Sequence, residues 1–116
     1  MLETHPMKLV TVVAESEVEH RLTEELLLLG AAGFTVVEGR GAGTRHARPS
    51  DLPGSNVRIE TVVPEAVAER ILDRLSEHWF ADYSLIAYVS DVQVIRTRKY
   101  DAQQPPTPTG ADHAAR

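Results

Sequence analysis

Two strand–helix–strand patterns in tandem predict an α+β chain. The expected form is a ferredoxin-like βαββαβ sandwich, with an antiparallel four-stranded sheet and two helices on one face. Three observations carry this. The pattern occurs twice within 116 residues. Its strand segments are rich in β-branched residues. Its helical segments each show a single apolar stripe. A chain of this length holds one domain with a modest core. We expect an N-terminal extension at 1–6, a folded domain at 7–100 with a long loop at 39–56, and a disordered tail at 101–116.

Lys8 to Ala14 is apolar and β-branched, and reads as a buried strand. Ser16-Glu17-Val18-Glu19 has capping-box spacing, with a serine oxygen for an early helix N–H and a glutamate to reach back. The helix that follows puts Val18, Leu22, Leu26 and Leu29 on one stripe, and Gly30 and Gly33 end it. Phe34 to Glu38 is a second strand. Gly39 to Ser55 contains two prolines and no apolar periodicity, so it is a long loop, a feature that in a small domain is usually functional.

The second half repeats the first. Val57 to Val63 is a strand with Val57, Ile59, Thr61 and Val63 on one face and Arg58, Glu60 and Val62 on the other. Pro64 suits a helix start, where its missing N–H has no partner to lose. Val67, Ile71, Leu75 and Trp79 form the second stripe. Ser84 to Ile95 is a fourth strand, long enough to project beyond the body. From Asp101 the chain is Gln, Pro, Thr, Ala and Asp, with nothing to bury.

Right-handed crossovers place both helices on one face. The usual strand order for this motif is 4-1-3-2. The second and fourth strands are expected to run in the same direction. Their C-terminal ends, carrying Arg40 and Arg96, then lie at the same end of the sheet on opposite sides. One subunit does not bring both cations to one small anion, whereas two neighbouring subunits do. The exposed edges also need covering, so a ring-like homo-oligomer is expected over a monomer with two unrelated basic patches.

Composition excludes several classes. No apolar run approaches the ~20 residues of a membrane span. The start, MLETHPMK, has no basic patch followed by an apolar core, which leads us to expect a cytoplasmic protein. There is no cysteine, which removes disulfides, thiol catalysis and cysteine zinc sites. A net charge of −5 argues against a nucleic-acid binder. Yet seven of the twelve basic residues lie in two stretches, Arg40, Arg45, Arg48 and Arg58, then Arg96, Arg98 and Lys99. A basic loop on an acidic body suggests a local anion site, set against a solvated loop with incidental arginines.

The segment Gly39-Arg40-Gly41-Ala42-Gly43-Thr44-Arg45-His46-Ala47-Arg48 is the most informative. Alternating glycines let successive backbone N–H groups turn toward one anion. Thr44 adds a hydroxyl, Arg45 and Arg48 add forked donors, and His46 is within reach of a phosphate. The segment lacks the Gly-Lys-Ser/Thr of a phosphate-binding loop and the spacing of a dinucleotide fingerprint. A plain flexible hairpin loop is the competing reading. Catalytic constellations are poor. His5, His20, His46, His78 and His113 show no metal-ligand spacing, and no serine sits in a nucleophile elbow. Trp79, Phe80, Tyr83 and Tyr88 suit core or interface packing better than stacking on a base.

Gly33-Phe34-Thr35-Val36-Val37-Glu38-Gly39-Arg40-Gly41-Ala42-Gly43 is similar to the second strand and loop start of the nitrogen-regulatory PII family. Asn56-Val57-Arg58-Ile59-Glu60-Thr61-Val62-Val63-Pro64 resembles its third strand and helix start. Gly41 to Arg48 and Phe80 to Tyr88 are closer to the carbon-related branch of SbtB and carboxysome-associated PII-like proteins. The resemblance spans about residues 7 to 98.

The resemblance implies a non-enzymatic homotrimeric sensor with nucleotide sites between subunits. Its adenine contacts fall on Val13, Thr35, Gly41 and Val62, and its phosphate contacts on Gly43 and Arg96. Arg45 and Arg48 are the loop arginines of the carbon branch, with Arg58 and Arg98 assisting. The family's long loop changes order with ligand and controls a partner, commonly a membrane transporter, and bicarbonate is a theme of the carbon branch. The implied location is the cytoplasm, at a transporter or near carboxysomes. Three features depart from the nitrogen branch. No tyrosine lies between Thr44 and Ser55 to be uridylylated, the loop is shorter than the nitrogen-type loop, and Tyr83-Ser84-Leu85-Ile86 replaces a glycine-lysine turn that serves the outer phosphates. AMP or ADP is therefore favoured over ATP with 2-oxoglutarate, with cyclic AMP and ATP still open. A metal-responsive CutA-like trimer and a weak nucleotide phosphohydrolase are the rival readings of the same architecture.

Overall fold

The computed structural model describes residues 3–41 and 55–95. These form strand β1 (His5–Glu15), a short 3-10 turn at Ser16–Val18, helix α1 (Glu19–Leu28), strands β2 (Thr35–Gly39) and β3 (Asn56–Val63), helix α2 (Glu65–His78) and strand β4 (Ile86–Val94). The strands make one sheet in the order β2-β3-β1-β4, every pair antiparallel. This is the expected ferredoxin-like α+β fold.

The cross-strand register sorts the side chains into two faces. Val10, Val12 and Ala14 of β1 stand opposite Thr61, Ile59 and Val57 of β3. Together with Val63 they are almost wholly buried. Leu22 and Leu26 of α1 and Val67, Ala68, Ile71 and Leu75 of α2 close over this row, with Trp79 just beyond α2. Both helices therefore cover one face, as the two stripes require. Leu29, the last residue of the first stripe, is only half-buried against the cluster.

The end of α1 follows directly from its sequence. Gly30 takes φ +119°, a region that L side chains rarely adopt. Its N–H bonds to the Leu27 carbonyl at 3.2 Å, and that of Ala31 to the Leu26 carbonyl at 3.0 Å. This is a Schellman closure, satisfying two carbonyls that a helix end leaves open. Pro64 precedes α2 as its cap, with an extended backbone, and its carbonyl accepts from Val67 and Ala68 at 3.0 Å each.

Four expectations are corrected. Ser16 is not the N-cap of α1: the chain first makes the 3-10 turn, the cap positions fall on Glu15 and Val18, and neither caps with its side chain. The Ser16 N–H bonds to the Ser55 carbonyl at 2.9 Å, so the turn is held across the loop's closing end. Strand β1 begins at His5, ahead of Lys8, because β4 continues the ladder to the pair His5↔Val94. Strand β4 covers Ile86–Val94 and does not reach back to Ser84, since its ladder with β1 begins at Val13↔Ile86. Finally, β2 and β4 run in opposite directions, not the same one. Three antiparallel steps across the sheet invert the chain, so β2 ends beside Asn56 while β4 ends beside His5. The C-terminal ends of β2 and β4 thus lie at opposite ends of the sheet.

Candidate functional site

The face of the sheet turned away from the helices carries the other set of side chains. Three successive rungs can be read from the register. The first holds Ile86, Val13, Arg58 and Val37 across β4, β1, β3 and β2. The second holds Tyr88, Thr11, Glu60 and Thr35. The third holds Ser90, Leu9 and Val62. Rungs on one face are about 6.8 Å apart and neighbouring strands about 4.8 Å. Val13, Thr35, Val62 and Arg58, named from sequence on three segments, therefore share one patch.

Their environments differ in a useful way. Val13 and Val62 are half-buried and Thr35 is exposed. Arg58 Nε lies 3.3 Å from Glu60 Oε2, an ion pair along one strand. Glu60 stands directly opposite Thr35. The patch thus offers two apolar walls, a hydroxyl, a carboxylate and a guanidinium on three adjacent rungs, which suits a flat ring with polar edges. Such an exposed ion pair holds its partners only weakly, so a ligand can compete for either.

Gly41 lies just past the end of β2. Its carbonyl accepts from Asn56 Nδ2 at 3.5 Å, so the first residue of β3 holds the outgoing chain. A Cβ at Gly41 would approach that nitrogen only to 4.0 Å. The position is accordingly open, with room for a ligand against the backbone. Gly43, Thr44, Arg45, His46, Arg48, Arg96 and Arg98 lie outside the described residues, as does the tail at 101–116.

Sequence reasoning did not single out Glu60 or Thr11. Glu60 alternates with Arg58 at i, i+2, a spacing that puts opposite charges on one strand face. Thr11 is only 1% exposed although no helix covers it. No local pattern in the sequence announces that burial.

The aromatic residues are divided between the faces. Tyr88 belongs to the open face and is exposed. Trp79 and Tyr83 lie with the helices, their rings 4.9 Å apart, and the Arg21 guanidinium stands 5.0 Å from each centroid. Arg21 Nη2 donates to Tyr83 Oη at 2.7 Å. An open groove of about 330 Å³ lies beside them, lined in part by Glu25, Arg74 and His78. This cluster ties the helices together and is remote from the rungs of the open face.

Among the described residues, no three His, Asp or Glu side chains gather in a way that could hold a metal ion. No helix among them is long and apolar enough to cross a membrane.

Comparison with known proteins adds to this geometry. Residues 7–99 match the family described as nitrogen regulatory protein P-II. A crystal structure from Thermus thermophilus, provisionally assigned as a PII-like signalling protein, is 48% identical, covering 85% of this chain and 99% of its own, with a TM-score of 0.74. CPII from Thiomonas intermedia, solved bound to ADP and bicarbonate, is 25% identical over 86% of this chain and 99% of its own, with a TM-score of 0.70. A structure of CPII with ADP, AMP and acetate aligns at 24% identity over 85% and 98%, with a TM-score of 0.74, a likeness of fold.

Proposed function

The chain belongs to the nitrogen regulatory protein P-II family, and from that premise we propose that it is a PII-like sensor binding an adenine nucleotide between subunits. The observation that carries this is the convergence of Val13, Thr35, Val62, Arg58 and Glu60 on three rungs of the open face. The base is held against Val13 and Val62 and read at its edge by Thr35. The chain leaves β2 past Gly41 into the segment where Gly43, Arg45 and Arg48 supply phosphate donors. ADP or AMP fits the number of cations better than ATP. The Thiomonas protein, solved with ADP and bicarbonate, supports bicarbonate as the co-ligand.

The site is completed by a second protomer in a homotrimer. Val37, Ile86 and Tyr88 are exposed on the open face, alongside half-buried Leu9 and Val92. Such an apolar sheet face favours burial against another subunit. Strands β2 and β4, which Arg40 and Arg96 follow in the sequence, finish at opposite ends of one sheet, so on this reading a neighbour brings the second cation. The protein is not an enzyme on this reading. It belongs with the carbon-related branch and acts in the cytoplasm through the long loop on a transporter such as one for bicarbonate.

Calorimetric titration of the purified protein with ADP, AMP, cyclic AMP and ATP, with and without bicarbonate, tests the reading. Saturable heat with ADP or AMP is expected. No heat with any of them up to millimolar concentration defeats it.

A further inference from the structure

Thr61 interrupts a buried apolar row. Val57, Ile59 and Val63 of the same strand face are 0–1% exposed, and Thr61 is 3% exposed. A valine there would have almost the same shape, without a hydroxyl that costs stability unless it is bonded. The hydroxyl is bonded: Thr61 Oγ1 donates to the Gly33 carbonyl at 2.6 Å. Gly33 lies two residues before Thr35, in the link between α1 and β2.

That position matters because β2 is weakly specified. It is five residues long, lies at the sheet edge, pairs only with β3 and exposes four of its five residues. A short, mostly solvated strand has little burial to set its register. It is instead held at both ends by side chains of β3. Thr61 grips Gly33 before the strand, and Asn56 grips Gly41 after it. The two proposed ligand contacts on this strand and its exit, Thr35 and Gly41, each adjoin one of these grips.

We propose that Thr61 is a positioning residue for the nucleotide site: its bond to Gly33 sets where β2 begins and so where Thr35 meets the base. The role rests on the nucleotide reading above. A binding constellation must be held to about 0.5 Å to be productive, and an edge strand released at one end does not hold it.

The experiment compares wild type, Thr61→Val and Thr61→Ser by ADP titration and by amide hydrogen exchange across β2. Thr61→Val preserves volume and removes the donor. It is expected to bind ADP about three- to tenfold more weakly and to exchange the β2 amides faster. Thr61→Ser keeps the donor and is expected to restore both. If wild type binds and Thr61→Val binds equally well, the positioning role is overturned while the nucleotide reading stands. If Thr61→Ser fails to rescue, and both variants melt lower in parallel with their loss of affinity, the role is only structural and the proposal is again overturned. If wild type gives no ADP signal, the nucleotide reading fails and the positioning role falls with it.

Discussion

The indole Nε1 of Trp79 donates a 2.7 Å hydrogen bond to Oε1 of Glu25, joining the end of one helix to the middle of the other. The second carboxylate oxygen accepts from Arg74 Nε at 2.9 Å. Trp79 is 4% exposed, so its N–H has no ready access to water. Glu25→Ala leaves that donor buried and unsatisfied, at a cost of about 1–3 kcal/mol. For a domain of this size each kcal/mol lowers Tm by about 4–8 °C. Calorimetric melting checks it. Glu25→Gln, which keeps an acceptor for the indole, is expected to lose distinctly less.

Thr35 separates ligand binding from folding, because it is exposed and its strand is held elsewhere. Thr35→Val is expected to weaken ADP binding about two- to tenfold, the worth of one neutral hydrogen bond. Stability is expected to stay within about 0.5 kcal/mol. On the proposed reading Arg45 supplies a charge-assisted phosphate contact, so Arg45→Ala is expected to cost about 1.5–3 kcal/mol of binding, a tenfold to hundredfold loss. Titration with ADP and AMP measures both, and an unchanged dissociation constant for either variant removes that residue from the site.

Ile86 is 58% exposed at the first rung of the open face, directly opposite Val13. A charge there costs the isolated protomer little, since the side chain already meets water. In a trimer that buries this face the same charge is unpaired and desolvated. Ile86→Asp is therefore expected to shift the mass seen by light scattering from trimer to monomer, and to abolish nucleotide binding with it. A variant that remains trimeric places the interface elsewhere.

Lys8 pairs with Asp91 across β1 and β4, and this hydrogen bond, joined by the charges of Asp91 and Glu65, raises the ammonium pKa above its usual 10.5 against a smaller opposing effect of burial. A group whose pKa is raised by folding stabilises the native state while it is protonated in both states. That stabilisation is fully present below the unfolded value of about 10.4 and is lost as pH rises through the folded value. Denaturant unfolding followed across alkaline pH is expected to show this loss in wild type and a flatter limb in Lys8→Met. Equal slopes in the two proteins refute the assignment.

Much of this architecture could be read along the chain. The stripe Val67, Ile71, Leu75 and Trp79 and the alternation Val57, Ile59, Thr61 and Val63 are periodicities of consecutive residues, and burial follows them. Gly30 ends α1 because its backbone conformation is a property of that residue and its immediate neighbours. Family resemblance implied Val13 and Thr35 on separate segments, and Arg58 and Val62 together on a third.

Pairing between distant segments decided the rest. The opposed directions of β2 and β4, the start of β1 at His5 and the facing of Thr35 by Glu60 are consequences of register across the sheet. The choice of Glu25 as acceptor for Trp79, and of Gly33 for Thr61, depends on groups that only packing brings within hydrogen-bond reach. Local chemistry selects a helix or a strand because its energy is set within a few residues. The candidate site took shape only when the sheet closed, because a patch shared by β1, β2 and β3 exists in no single stretch of chain.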